Sequence, residues 1–242
     1  MALTLRQKVE RFAFLDALRG VAVWLMITYH FCYDLVFFKF AHFNLTQDSF
    51  WLSFRAFIVS LFLLIVGISL HFSLRIRKDW KLFYKRLIML GLAATLVSIS
   101  SYWLFGARFI YLGVLHFITI ASILAIFFLK FDRLNLVVGL ILILLGLTVQ
   151  HSFFNQPQLH WLGMMTFKPP TEDFVPLIPW FGVVLIGLFV GKHLPISTLS
   201  RWKNDQFLKK LLVFSGRHSL IIYLIHQPIL MGLFYGFLSL YR

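Results

Sequence analysis

Residues 14–38 read FLDALRGVAVWLMITYHFCYDLVFF, an apolar run of 25 residues whose only formal charges are Asp16, Arg19 and Asp34. About 20 helical residues cross the hydrocarbon of a bilayer, so the run is long enough to span one. Further apolar runs at 52–74, 84–103, 109–129, 134–150, 177–194 and 214–240 repeat the pattern. None alternates apolar with polar residues as a barrel strand does. The expected fold is all-α, a single polytopic transmembrane helix bundle over 1–242 with about seven spans. Composition agrees: 60% of the 242 residues are apolar and mean hydropathy is +0.84, more than a soluble domain of this size can hide.

Arg6, Lys8 and Arg11 precede the first run and give it the look of a secretory leader. No small-residue cleavage site follows, and apolar sequence continues past Tyr33 to Phe38, so a retained span is expected. Placing the N-terminus in the cytoplasm puts 18 of the 23 Lys and Arg residues on the inner side. The formal net charge of +14 then reads as a topology signal facing an anionic leaflet, which makes membrane lipids the partner and disfavours nucleic acid. In this orientation 151–176, with Pro157, Pro169, Pro170 and Pro176, becomes an ordered or interfacial extracytoplasmic loop. Segment 195–212 becomes a cytoplasmic loop suited to a short amphipathic stretch. Cys32 is the sole cysteine, which excludes an intrachain disulfide and a thiolate metal site.

Ionisable groups within spans are costly unless they face a partner or a wet cavity, so each is a site candidate. Asp16 and Arg19 share a helix face. They suit an inner-interface ion pair that positions the first helix, or Arg19 serves a phosphate-binding entrance. His30 and Asp34, four apart with Tyr29 and Tyr33 nearby, form the most polar patch of the first span. A carboxylate that fixes an imidazole tautomer makes a general base, and helix–helix hydrogen bonding accounts for the same residues. His116 follows Gly113 at a comparable depth. Two histidines with Asp34 lack a spacing that compels a metal, and none is expected. His226 and Gln227 lie near the middle of the last run, beside Pro228, which frees a backbone carbonyl. Glu172, Asp173 and Trp180 sit at the outer mouth, where capping and interface anchoring compete with acceptor binding. Arg75, Arg77, Lys78, Lys81, Lys85 and Arg86 form the densest basic cluster, which positive-inside bias explains and which also suits the phosphates of a nucleotide-containing donor. There is no Walker motif, dinucleotide-binding glycine fingerprint or Gly-x-Ser-x-Gly elbow, so ATP hydrolysis, hydride transfer and serine-esterase chemistry are disfavoured.

The run from Phe14 to Val23 with Met26 and His30 resembles the opening of a superfamily of membrane acyltransferases. Gly113-Val114-Leu115-His116-Phe117, Pro179-Trp180-Phe181-Gly182 and the stretch from Ser219 to Pro228 are similar to its bacterial branch related to the catalytic domain of heparan-alpha-glucosaminide N-acetyltransferase. Related bacterial sugar O-acyltransferases carry an arginine followed after ten residues by a catalytic histidine, and Arg19 and His30 keep that spacing. The resemblance implies acetyl-CoA as acyl donor and a saccharide or glycolipid as acceptor, in a bacterial inner membrane; a homodimer is a further option for partners, and the oligomeric state stays open. It also implies His30 as base assisted by Asp34, with His116 or Tyr33 at the thioester oxygen. Arg19, Arg75, Lys85, Arg86, His226 and Gln227 fall on the CoA side, and Tyr33, Glu172, Asp173 and Trp180 on the acceptor side. The lysosomal relative places its active histidine beyond the first catalytic-domain span, where this chain has His42. His42 therefore competes with His30, and N- and O-transfer, direct transfer and an acetyl-histidine intermediate stay open. The rival readings are a proton-coupled transporter and a non-catalytic membrane scaffold.

Overall fold

The computed structural model describes residues 12–195 and 206–240, and within them the chain is all-helical apart from one isolated bridge between Leu112 and Phe174. In chain order the helices are α1 (Ala13–Phe37), α2 (Ser49–Leu70, continued by a π-helical turn, His71–Ile76), α3 (Trp80–Phe105), α4 (Val114–Phe128), α5 (Arg133–Thr148), α6 (Leu177–His193), α7 (Phe207–Arg217) and α8 (Ser219–Leu240). Four are long and apolar enough to cross a membrane, and α4, α5 and α6 are shorter apolar helices of 15, 16 and 17 residues. The chain is a membrane protein.

Two expected boundaries shift. The run at 109–129 becomes a helix only from Val114, because residues 109–113 are non-helical and tied elsewhere. The run at 214–240 is broken at His218, which leaves helical geometry with φ −104° and ψ 16°, so Phe214 belongs to α7 and the last long helix starts at Ser219. Within 151–176 there are two 3-10 turns, Ser152–Asn155 and Pro157–Leu162, and no crossing helix. Arg6, Lys8, Arg11, Arg201, Lys203 and Arg242 lie outside the described residues.

The fold divides into two compact units, residues 1–62 with 195–242, and residues 63–194. In the first, α1 packs along α7 and along α8. The α1–α7 approach is backbone on backbone. A β-carbon at Gly20 would overlap the Leu212 carbonyl, and one at Gly216 would overlap the Asp16 carbonyl. Small residues allow such contact where lipid offers no hydrophobic drive between helices. Polar groups then lock it: buried Asp16 takes Arg19 at 2.8 Å and Arg217 at 3.4 Å, Arg19 also donates to Gly216 O at 3.4 Å, and Trp24 Nε1 donates to Ser215 Oγ at 3.1 Å.

In the second unit α5 and α6 form the most extensive pair, with the Gly139 and Gly182 backbones in contact. Buried Asn135 donates from Nδ2 to the Phe128 and Phe131 carbonyls, both at 3.1 Å, and so satisfies the C-terminal end of α4. Outside the helices, Asp132 holds the end of α6 through Lys192 and His193, each at 2.8 Å. The hydrogen bond from Lys192, then that from His193, keeps the Asp132 carboxyl below the usual carboxylate range.

Candidate functional site

A second polar contact in the first unit lies between the C-terminal half of α1 and the middle of α8. His30 stands 14 residues beyond Asp16 on one continuous helix, about 21 Å along its axis. Asp34 lies one turn further and is wholly buried. From α8, Gln227 Nε2 donates to Asp34 Oδ1 at 2.7 Å. The His226 ring packs against the His30 ring, with centroids 4.8 Å apart and planes inclined at 66°. Tyr29 meets His30 edge-on at 5.9 Å and leans on Trp51 and Phe54.

The sequence pairs His30 with Asp34, but the carboxylate is engaged by Gln227 and no His30–Asp34 hydrogen bond forms among the described residues. The histidine with a fixed tautomer is His226. Its Nδ1 lies 2.7 Å from the Tyr223 carbonyl, which can only accept, so Nδ1 carries a proton and, in the neutral ring, Nε2 is left bare. His226 is 8% exposed, and its Nε2, together with Asp34 Oδ2 and Gln227 Oε1, is buried without a hydrogen-bond partner. Pro228 follows directly, and the N–H it lacks leaves the Leu224 carbonyl without its usual helical donor. Tyr33 is half-buried on the same helix as His30, whereas His42 is exposed in the loop after α1.

His116 sits in the second unit, in the first turn of α4. Ser98 Oγ lies 2.7 Å from the Ile110 carbonyl and must spend its single proton there. It therefore accepts from His116 Nε2 at 2.9 Å, and His116 Nδ1 accepts the Gly113 N–H at 3.3 Å. Both ring nitrogens are thus engaged in tying α3 to the start of α4. Asp173 works beside it: its Oδ2 accepts the Val114 N–H at 2.9 Å, an acidic cap on a helix N-terminus. Glu172 pairs with Arg108 at 3.5 Å, Thr171 Oγ1 donates to the Phe109 carbonyl at 2.8 Å, and Val175 N donates to Leu112 O at 2.9 Å. Together these bonds fasten the end of the long loop to residues 108–112. Tyr111, in that segment, has its phenol pushed up by burial. Trp180 is half-buried in the first turns of α6.

A cavity of about 300 Å³ opens on this unit between Gln150, Met164, Thr166, Phe167, Lys168, Phe174 and Pro179. Arg75 and Lys85 are exposed and Arg86 half-buried in the same unit, while Arg19, in the first, is largely enclosed by its ion pair. No group of three or more His, Cys, Asp or Glu is placed to hold a metal among the described residues.

His30, Asp34, His226 and Gln227 of the α1–α8 contact and the Asp16–Arg19 pair are legible in the sequence, whereas Arg217 as a second partner of Asp16 and Ser98 as the partner of His116 are not. Arg217 reads only as part of the positive-inside bias, and Ser98, Ser215 and Trp24 give no signal of their own in a single sequence. Against known families, the model described as "Heparan-alpha-glucosaminide N-acetyltransferase, catalytic" matches residues 11–228. Comparison with curated proteins and with solved structures returned no match.

Proposed function

Because the chain belongs to the heparan-alpha-glucosaminide N-acetyltransferase catalytic family, whose members use acetyl-CoA as donor, we propose that it transfers an acetyl group from cytosolic acetyl-CoA to a hydroxyl or amine of a saccharide or glycolipid at the extracytoplasmic side of a bacterial inner membrane. The observation that carries this reading is the polar contact His30–His226 and Asp34–Gln227 within an otherwise apolar helix pair, about 21 Å along α1 from its charged inner end.

In the proposed reaction His30 takes the proton from the acceptor as its oxygen or nitrogen attacks the thioester carbonyl carbon. A tetrahedral intermediate forms, the carbon–sulfur bond breaks, and the CoA thiolate leaves with the proton returned from the imidazolium. Tyr33 is the group on α1 suited to donate to the oxyanion. His116, with both nitrogens engaged, is assigned the task of holding the start of α4. Arg75, Lys85 and Arg86 are assigned to the CoA phosphates.

His42 is exposed, whereas His30 is half-buried against a second imidazole, which supports His30 as the base. The test is transfer of radiolabelled acetyl from acetyl-CoA to glucosamine by purified His30→Ala and His42→Ala. Loss of at least ~100-fold in kcat is expected for the first only, as general-base catalysis typically contributes 10²–10⁴. Full turnover by His30→Ala would remove His30 from the mechanism.

A further inference from the structure

The α1–α8 contact holds more lone pairs than hydrogens. Gln227 spends one amide hydrogen on Asp34 Oδ1, and His226 spends its ring proton on the Tyr223 carbonyl. What remains is Asp34 Oδ2 on a wholly buried residue, His226 Nε2 on a residue 8% exposed, and Gln227 Oε1, each buried and unpartnered. A buried acceptor left without a donor is costly, and three together within one helix pair are more than packing alone retains. Gln227 Oε1 is an acceptor whatever the charge of Asp34, and Nε2 of a neutral His226 ring is another. A guest that brings N–H or O–H groups would complete both. His30, which packs against His226, is itself half-buried and forms the exposed side of this contact.

We propose that Asp34 Oδ2, Gln227 Oε1 and His226 Nε2 receive the hydroxyl or amine hydrogens of the acceptor saccharide, so that Gln227 and His226 are acceptor-recognition residues and not part of the CoA site. This rests on the acetyltransferase reading. The geometry gives it a consequence: the hydrogens held by the cluster fix the sugar in the contact where His30 lies against His226, beside the group that is to be deprotonated. The pantetheine amides of CoA carry the same donor chemistry, and the experiment separates the two sources.

The experiment uses the purified full chain, with glucosamine as probe acceptor. Gln227→Met keeps the length and apolar body of the side chain but removes Oε1 together with the amide that donates to Asp34 Oδ1, and Asp34→Asn, which keeps an acceptor for that amide, replaces only one lone-pair oxygen by a donor with almost no change of shape. A roughly tenfold rise in the glucosamine KM for both variants, with calorimetric acetyl-CoA affinity unchanged, is expected for the loss of one such hydrogen bond. Weakened acetyl-CoA affinity with an unmoved glucosamine KM would assign the lone pairs to pantetheine and overturn the proposal. If neither quantity moves in a variant whose thermal unfolding shows it folded, the cluster holds only trapped water, and the proposal also fails. Should the wild-type protein show no acetyl transfer at all, the reading beneath fails separately. Direct glucosamine binding by saturation-transfer NMR then decides recognition by itself, loss in Gln227→Met sustaining it and retention refuting it.

Discussion

Removal of the Asp16 carboxylate is the sharpest test of how the first helix is held. The Asp16 side chain is 6% exposed and that of Arg19 14%, with 2.8 Å between them, while Arg217 is 48% exposed at 3.4 Å. Asp16→Ala removes the carboxylate that accepts from both guanidiniums, while Arg19 keeps the Gly216 carbonyl among its partners. Breaking a buried pair from one side costs about 3–5 kcal/mol, and the half-exposed Arg217 contribution puts the expected value near the lower end, about 3 kcal/mol. Because Asp16 and Arg19 bond each other directly, the double variant Asp16→Ala/Arg19→Ala should lose less than the sum of the losses in Asp16→Ala and Arg19→Ala, by about 0.5–3 kcal/mol. Equilibrium unfolding in mixed micelles, followed by tryptophan fluorescence, measures wild type and the three variants. Single losses that simply add in the double variant would overturn this expectation, because Asp16 and Arg19 would then be uncoupled.

The other expectations come from separate parts of the fold. Gly216→Val inserts a side chain where the Asp16 carbonyl already sits, and α1 and α7 should separate, with loss of the folded species on size-exclusion chromatography. In Asp173→Ala the Val114 N–H loses its side-chain acceptor, so thermal stability should fall by about 1 kcal/mol, the usual worth of an N-cap. The Asp132 carboxyl is held low by Lys192 and His193, so its stabilisation is fully present above the unfolded pKa and is lost as pH falls through the lower folded one. Unfolding midpoints from pH 7 down to pH 2 should accordingly fall less steeply in Asp132→Asn than in wild type, and parallel curves would remove this tether from the account.

The helices were legible because hydropathy is local: the runs at 14–38, 52–74, 84–103, 134–150 and 177–194 each coincide with a helix to within a few residues. Where the reading slipped, a tertiary bond decided. Residues 109–113 are apolar enough to continue α4, yet bonds from Thr171 and Val175 draw them into the loop. His218 breaks the last run without a proline or glycine to announce it. At the site, the four-residue spacing of His30 and Asp34 correctly put both on one face. It could not reveal that α8 would offer Gln227 to the carboxylate and His226 to the ring, because that choice depends on the register between two helices nearly 200 positions apart in sequence. Arg19 carried two meanings in the sequence, an ion pair or a phosphate contact, and the geometry forms the ion pair.

In the proposed reaction a thioester supplied on one side of the membrane reaches the imidazole on the first helix, and an acceptor on the other side is acetylated. Proteoliposomes with acetyl-CoA outside and glucosamine trapped within decide it. N-acetylglucosamine in the lumen with CoA released outside is expected, with loss of both in His30→Ala. Folded wild-type protein that leaves the trapped amine unmodified, or an equal yield from His30→Ala, would contradict it.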